Sequence, residues 1–125
     1  MRGAERPLSP YWIYRWQITM WLSSLHRITG LFLSLGAVVL AAWLTTLASG
    51  PDAYAELQTF VGAGWFKLLL VGWTFCFFYH LVNGLRHLVW DLGYGFEKSH
   101  IQASGWTAIA VTVLATAAFA FGAIF

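Results

Sequence analysis

The chain has 125 residues, of which 59% are hydrophobic and only 10% are charged. Soluble domains carry about 45–50% apolar and about 25% charged residues, so this composition excludes an ordinary soluble, disordered or collagen-like chain. A single cysteine excludes an internal disulfide, a CxxC redox motif and a cysteine-based zinc site, and a net charge of +2 is too small to indicate a nucleic-acid partner. The eight tryptophans suit a protein that occupies two membrane–water interfaces. The chain is therefore predicted to be a small integral membrane protein.

The first 22 residues are predicted to form a cytoplasmic interfacial segment. They contain Pro7 and Pro10, and an aromatic cluster made of Tyr11, Trp12, Tyr14 and Trp16. A short surface helix is expected after Pro10. No apolar core closely follows the N-terminus, so we expect no cleavable signal peptide.

Three charge-free stretches, residues 28–51, 68–85 and 101–125, follow along the chain. A membrane-crossing helix needs roughly 20 mostly apolar residues. We therefore predict an all-α integral membrane fold with three transmembrane helices, at roughly 25–48, 62–90 and 103–124, in one membrane-anchor domain over 1–125. The Gly50-Pro51-Asp52 run is expected to end the first span, since these residues favour turns.

The basic residues predict an orientation. Of the seven Lys and Arg residues, four lie on the N-terminal side of the first span and two lie at the end of the second span and in the loop after it, whereas only Lys67 lies between the charge-free stretches of the first two spans. The positive-inside rule then puts the N-terminus and the second loop in the cytoplasm and the C-terminus outside.

The first polar cluster is the sequence Ser-Ser-Leu-His-Arg-Ile-Thr-Gly at residues 23–30. Ser23 and Arg27 are four residues apart, so they share one face of a helix. A hydroxyl beside a guanidinium at the edge of the hydrocarbon suits the polar head of an apolar molecule. Alternatively, Arg27 is an interfacial anchor that binds lipid phosphate.

The second cluster lies near the cytoplasmic end of the second span. It forms a stripe on one helix face, composed of Gly72, Cys76, His80, Gly84 and His87. The small members let a flat molecule or another helix approach closely. His80 lies about 16 Å of helix rise inward from Asp91, at a depth where ionisable residues are rare and usually functional.

A neutral imidazole at that depth, beside small residues, can ligate haem iron. The propionates would then face the cytoplasmic end, where donors are available from His26, Arg27, Arg86 and His87. In the alternative, His80 makes a hydrogen bond to a neighbouring helix and no haem is present. Cys76 is expected to be an inert packing residue.

The histidine count adds a constraint on the haem hypothesis. The other histidines are expected nearer the cytoplasmic surface than His80, so a six-coordinate haem with two histidines would need its second ligand from another polypeptide. Asp91 is expected at the surface, where it could pair with Arg86 or Lys98 or pass protons.

Three segments together resemble the cytochrome b556 membrane anchors of succinate dehydrogenase. They are residues 6–10 (RPLSP), 23–30 (SSLHRITG) and 80–91 (HLVNGLRHLVWD). The resemblance covers nearly the whole chain. It implies a four-subunit respiratory enzyme, in which a flavoprotein and an iron–sulfur subunit are joined to two three-helix anchors that share one haem b. Electrons would pass through the iron–sulfur clusters to ubiquinone, in the bacterial cytoplasmic membrane.

The resemblance also implies residue roles. His80 matches the axial ligand of the haem iron, and the partner anchor would supply the other histidine. Ser23 and Arg27 match the quinone-site serine and arginine, and Trp16 falls where some ubiquinone-type members have a pocket tryptophan. The residues expected near the haem propionates are His26, Arg27, Arg86 and His87. Asp91 matches an acid near the site, with a possible role in proton relay.

Two alternatives remain open at this point. One is a quinol:fumarate reductase anchor, because the sequence does not settle the direction of electron flow. The other is a structural or transport subunit with no cofactor, in which His80 only packs between helices.

Overall fold

The computed structural model describes residues 17–125, and this part of the chain is helical. The helices are α1 (Ile18–Ala48), α2 (Pro51–Val61), α3 (Gly64–Asp91) and α4 (Lys98–Phe119), and a π-helical turn at Ala120–Ile124 extends α4. The predictions for the N-terminal segment, namely the surface helix after Pro10 and the role of Trp16, lie outside the described residues.

Three of these helices, α1, α3 and α4 with its π-helical turn, are long and apolar enough to cross a membrane. This confirms the predicted all-helical architecture with three candidate spans. α1 has 31 residues, which corresponds to about 46 Å at 1.5 Å per residue and exceeds a hydrocarbon core of about 30 Å. Helix α1 therefore extends beyond the bilayer core, and it begins at Ile18, before the predicted span.

A short helix, α2, occupies the connection after α1, where the sequence predicts only a turn. Gly50 has a φ of 113°, a conformation that favours glycine, and it lets the chain turn after α1. Pro51 then starts α2, and Asp52 lies in its first turn, where a carboxylate interacts favourably with the helix dipole. With 11 residues α2 is too short to span a bilayer. It packs on α1 through Tyr54, whose ring meets that of Trp43 edge-on at 6.3 Å.

Small residues bring the three long helices together. A Cβ atom placed on Gly30 would lie 3.0 Å from Cε1 of His80, and one on Gly36 would lie 3.2 Å from Nε1 of Trp73. These two glycines let α3 side chains lie against the backbone of α1. Gly105 does the same for α1 against α4, since a Cβ there would lie 2.9 Å from a methyl group of Leu22. Close approach at small residues is how transmembrane helices pack.

The buried centre of the described bundle is strongly polar. Thr29, Asn83, Arg86 and Thr112 are among its buried residues, whereas Phe121, Leu114 and Leu68 are at least two-thirds exposed. Several of the buried polar groups lie at one end of the bundle, where α1 begins, α3 ends and α4 begins. We call this the basic end, because it carries Arg27, Arg86 and Lys98.

Candidate functional site

Three histidines from α1 and α3 form a stacked group, the histidine cluster, which comprises His26, His80 and His87. The rings of His26 and His80 lie nearly parallel, with centroids 3.8 Å apart and planes at 11°. The rings of His26 and His87 follow at 5.6 Å. The expectation that the other histidines lie nearer the cytoplasmic surface than His80 is therefore wrong for His26, which lies beside His80 and not on the opposite side of a ring from it. The two helices run antiparallel, and Gly30 lets the His80 ring lie against α1 beside His26.

The stacked geometry still prevents His26 and His80 from sharing one iron between them. Two axial imidazoles point ring nitrogens toward a common metal, whereas these two rings present their faces to each other. Over residues 17–125, no group of three or more His, Cys, Asp or Glu side chains is arranged to hold a metal ion. The cluster is therefore not a chelating site for a bare metal ion.

The imidazole of His80 is fixed through its Nδ1 atom. Nδ1 lies 3.1 Å from the backbone carbonyl oxygen of His26 and 3.3 Å from the hydroxyl oxygen of Thr29. Since a carbonyl can only accept, Nδ1 carries the proton and donates, and Nε2 keeps its lone pair. No described residue makes a hydrogen bond to Nε2. This is the arrangement that metal-bound histidines adopt, in which the second ring nitrogen donates to a carbonyl.

The predicted stripe of small residues leaves space next to His80. A Cβ on Gly84 would meet only Cε1 of His26, at 3.9 Å, and one on Gly72 would meet no atom within 4 Å. Cys76 lies between them and is half-buried. Apart from the histidine cluster itself, no side chain within residues 17–125 lies against these glycines, so a flat group or a partner helix can approach there.

Other polar atoms near the histidine cluster lack partners. Nδ1 of His26 is buried and has no hydrogen-bond partner among the described residues, and the same holds for the amide nitrogen of Asn83. His87 uses its Nδ1 atom to donate to the carbonyl of Asn83, at 2.8 Å. Buried polar atoms are rarely left unpaired, so His26 is a candidate for contact with a group from outside the described residues.

Arg86 was predicted to donate toward haem propionates, but in this chain its donors are directed mainly at α4. Its Nε donates to the hydroxyl of Ser104 at 2.8 Å, and Nη2 donates to the carbonyl of Ile101 at 3.0 Å. Nη1 reaches the side-chain oxygen of Asn83 at 3.4 Å, and the guanidinium carbon lies 4.1 Å from the ring centroid of Trp90. The structure thus gives Arg86 a clear role in joining α3 to α4.

Ser23 and Arg27 lie one turn apart near the start of α1, as the spacing predicted. Ser23 is half-buried and Arg27 is exposed. No hydrogen bond or ion pair joins either side chain to another described residue. The guanidinium of Arg27 is therefore available at the basic end, in contrast to that of Arg86.

Asp91 is the last residue of α3 and is exposed. Neither of the expected ion pairs, with Arg86 or with Lys98, forms. Arg86 is directed to α4, and the ion pair seen within residues 17–125 joins His100 to Glu97 at 3.9 Å. The carboxylate of Asp91 is thus open to solvent or to a partner.

Sequence analysis missed Thr29 as a site residue, although it lies in the first polar cluster. Thr29 is 2% exposed, and its hydroxyl donates to the carbonyl of His26 at 3.0 Å. The available signal was its spacing, because Thr29 is three residues after His26 and so lies on the same helix face. The position of His80 against that face depends on packing between helices, which the spacing alone does not reveal.

Comparison with known proteins gives a consistent result over nearly the whole chain. Residues 2–119 match the family described as "Succinate dehydrogenase/Fumarate reductase transmembrane subunit". The succinate dehydrogenase cytochrome b556 subunit of Rickettsia felis is 40% identical over 113 residues, which cover 90% of this chain and 88% of the relative.

Two further relatives extend the comparison. The cytochrome b556 subunit of Paracoccus denitrificans is 36% identical over 111 residues, or 88% of this chain and 85% of the relative. The mitochondrial cytochrome b560 subunit of Sus scrofa is 36% identical over 121 residues, or 94% of this chain and 72% of the relative. The chain therefore belongs to the family of succinate dehydrogenase and fumarate reductase transmembrane subunits.

Proposed function

We propose that this chain is the haem b-binding and quinone-binding membrane anchor of succinate dehydrogenase, in which electrons pass from the iron–sulfur subunit to ubiquinone. The observation that carries the proposal is the state of His80. Its Nδ1 donates to the carbonyl of His26, and its Nε2 keeps a lone pair within a membrane-spanning helix. The direction from succinate to quinone is favoured over quinol:fumarate reduction because the relatives compared above are named as succinate dehydrogenase subunits.

The residues of the histidine cluster fit a haem b. His80 would be the axial ligand through Nε2, and the space beside Gly84 would admit the edge of the macrocycle. His26, Arg27 and His87 would contribute donors and positive charge near the propionates. Arg86 lies in the same region, but we assign it a structural role, in which it holds α3 against α4. When bound, haem b supplies a one-electron redox centre between the two anchors.

A second polypeptide is needed to complete this centre. The only histidine ring stacked on His80 belongs to His26, within residues 17–125, and its orientation does not allow it to face His80 across an iron. The second axial histidine would come from another three-helix anchor. The chain would then form half of a two-subunit haem-binding helical bundle, joined on the cytoplasmic side to the iron–sulfur and flavoprotein subunits.

The quinone head would bind at the basic end beside Ser23 and Arg27. A hydroxyl and a guanidinium on one helix face can donate hydrogen bonds to quinone oxygens and stabilise the negative charge that develops on them as electrons arrive. Trp16 would form part of the same pocket. The exposed carboxylate of Asp91 can take up protons from water and is proposed to relay them to the site.

The orientation of the anchor follows from the same residues. The basic end would lie on the cytoplasmic side of a bacterial inner membrane, together with the N-terminus, and the C-terminus would lie in the periplasm. Succinate oxidation itself would belong to the flavoprotein subunit, and this chain would contribute no residue to it.

Affinity capture of the intact complex through this chain tests the proposal. We expect a covalently or tightly bound flavin that succinate reduces, iron–sulfur clusters, and succinate-dependent reduction of a short-chain ubiquinone. A captured complex without succinate-reducible flavin would contradict the assignment. A complex that oxidises quinol with fumarate far faster than it reduces quinone with succinate would favour the reverse direction.

A further inference from the structure

Thr29 is a buried threonine of α1 whose hydroxyl lies beside the imidazole of His80. Thr29 is 2% exposed and lies on α1 where the His80 ring of α3 packs against it. Other buried threonines of the bundle use their hydroxyls differently. Thr112 donates to the carbonyl of Ala108 at 2.7 Å, and Thr116 donates to that of Thr112 at 2.7 Å, each within its own helix.

Thr29 combines such a bond with a contact to another helix. Its hydroxyl donates to the carbonyl of His26, at 3.0 Å, and the same oxygen lies 3.3 Å from Nδ1 of His80. Nδ1 also lies 3.1 Å from that carbonyl. The three atoms therefore form a triangle, in which the single hydroxyl hydrogen is directed to the carbonyl.

This triangle determines where the imidazole proton lies. With the hydroxyl hydrogen on the carbonyl, the hydroxyl oxygen turns a lone pair toward Nδ1. The carbonyl oxygen also offers only lone pairs, so both oxygens accept from Nδ1. An unprotonated Nδ1 would set its lone pair against the carbonyl oxygen of His26 at 3.1 Å, and Thr29 could offer it a hydrogen only by giving up its own bond to that carbonyl.

We infer that Thr29 is a positioning residue for the haem ligand: with the His26 carbonyl, it fixes His80 as the Nδ1–H tautomer and so leaves the lone pair on Nε2. This inference rests on the proposed role of His80 as an axial ligand. Hydrogen bonds from the second ring nitrogen orient a ligating imidazole and raise its basicity. A more basic ligand stabilises ferric over ferrous iron, so loss of one acceptor is expected to shift the haem midpoint potential in the positive direction.

The test uses the whole detergent-purified complex with three variants of this chain. Thr29→Val removes the hydroxyl and keeps the shape of the side chain, whereas Thr29→Ser keeps the hydroxyl. Thr112→Val is the matched control, because it removes a hydroxyl that is fully buried but bonded only within its own helix. The readouts are haem per complex, from the extracted pigment, and the midpoint potential of the bound haem, from a redox titration.

We expect Thr29→Val to lower haem content and to shift the potential of the remaining haem positively, and Thr29→Ser and Thr112→Val to resemble the wild type. A Thr29→Val complex with unchanged haem content and potential would overturn the inference. An equal loss of haem in Thr112→Val would also overturn it, since the effect would then come from general loss of packing. A wild-type complex without haem would instead overturn the proposed function itself.

Discussion

The guanidinium of Arg86 donates through Nε to the hydroxyl of Ser104, at 2.8 Å, and so joins the end of α3 to the start of α4. Arg86 is 8% exposed, and the ring of Trp90 covers its guanidinium at 4.1 Å. A buried arginine is tolerated only when its donors are satisfied, and the carbonyl of Ile101 supplies a second acceptor at 3.0 Å. The arginine of the His-x-x-x-Gly-x-Arg-His sequence thus has a structural role within a single chain.

Replacement of Arg86 should therefore destabilise the helix pair. Hydrogen bonds to charged groups contribute about 1.5–3 kcal/mol, so we expect Arg86→Ala to lower the stability of the complex by about 2 kcal/mol. The measurement is the apparent Tm of the purified complex in detergent. Arg27→Ala is the matched control, because Arg27 is exposed, and it should leave the Tm within error of the wild type. Equal Tm values for the two variants would contradict the role of Arg86.

Replacement of Arg27 or Ser23 should have the opposite effect, because it should impair catalysis rather than stability. We expect Ser23→Ala and Arg27→Ala to reduce succinate-dependent quinone reduction at least tenfold, because both remove donors to the quinone oxygens. Succinate oxidation with a soluble dye should persist, since it does not need the quinone site.

Ser24→Ala provides the control for Ser23. Ser24 is also half-buried but lies on a different face of α1, about 100° around the helix axis. The Ser24→Ala complex should retain the wild-type rate of quinone reduction. A parallel loss of dye and quinone activity in Ser23→Ala would indicate failed assembly, and full quinone activity would exclude Ser23 from the site.

Gly30 should be sensitive to the addition of a single methyl group. A Cβ at Gly30 would lie 3.0 Å from Cε1 of His80, closer than ordinary van der Waals contact. We expect Gly30→Ala to displace the His80 ring and to lower haem content in the extracted pigment. Gly64→Ala is the control, because a Cβ there meets no atom within 4 Å. Wild-type haem content and spectrum in Gly30→Ala would show that the position of the His80 ring does not depend on this contact.

Replacement of Gly84 tests whether the haem lies beside this residue, without disturbing the fold of this chain. A Cβ at Gly84 would meet only His26, at 3.9 Å, which is an ordinary contact distance. Gly84→Ala should therefore leave the apparent Tm of haem-free material unchanged, while it weakens haem binding by occupying space beside His80. If haem content and spectrum stayed at wild-type levels, the macrocycle would not lie next to Gly84.

The three spans could be predicted from the sequence because length and hydropathy alone determine whether a helix can cross a bilayer. Helical periodicity places Ser23 and Arg27 on one face of α1. It likewise places His80 and Gly84 on one face of α3. The helix α2 was missed because, with 11 residues, it is too short to span a bilayer, and because its start at Gly50-Pro51 is a sequence typical of a turn. α1 ends at Ala48, and the next helix begins at Pro51, only three residues later.

The contacts between helices could not be predicted in the same way. Two contacts depend on the axial offset between α1, α3 and α4. They are the hydrogen bond from Arg86 to Ser104 and the stacking of His26 on His80. Their relative displacement is determined by the close approaches at Gly30, Gly36 and Gly105. No pattern within one helix encodes that displacement.

The most direct test of the role of His80 is a reduced-minus-oxidised visible spectrum, with haem extraction, of the purified complex in its wild-type, His80→Ala and His100→Ala forms. His100 is an exposed histidine near the start of α4 and serves as the matched control. We expect sharp b-type bands at one haem per complex in the wild type and in His100→Ala, and loss of those bands in His80→Ala. Unchanged bands and haem content in an assembled His80→Ala complex would contradict the assignment of His80 as the haem ligand.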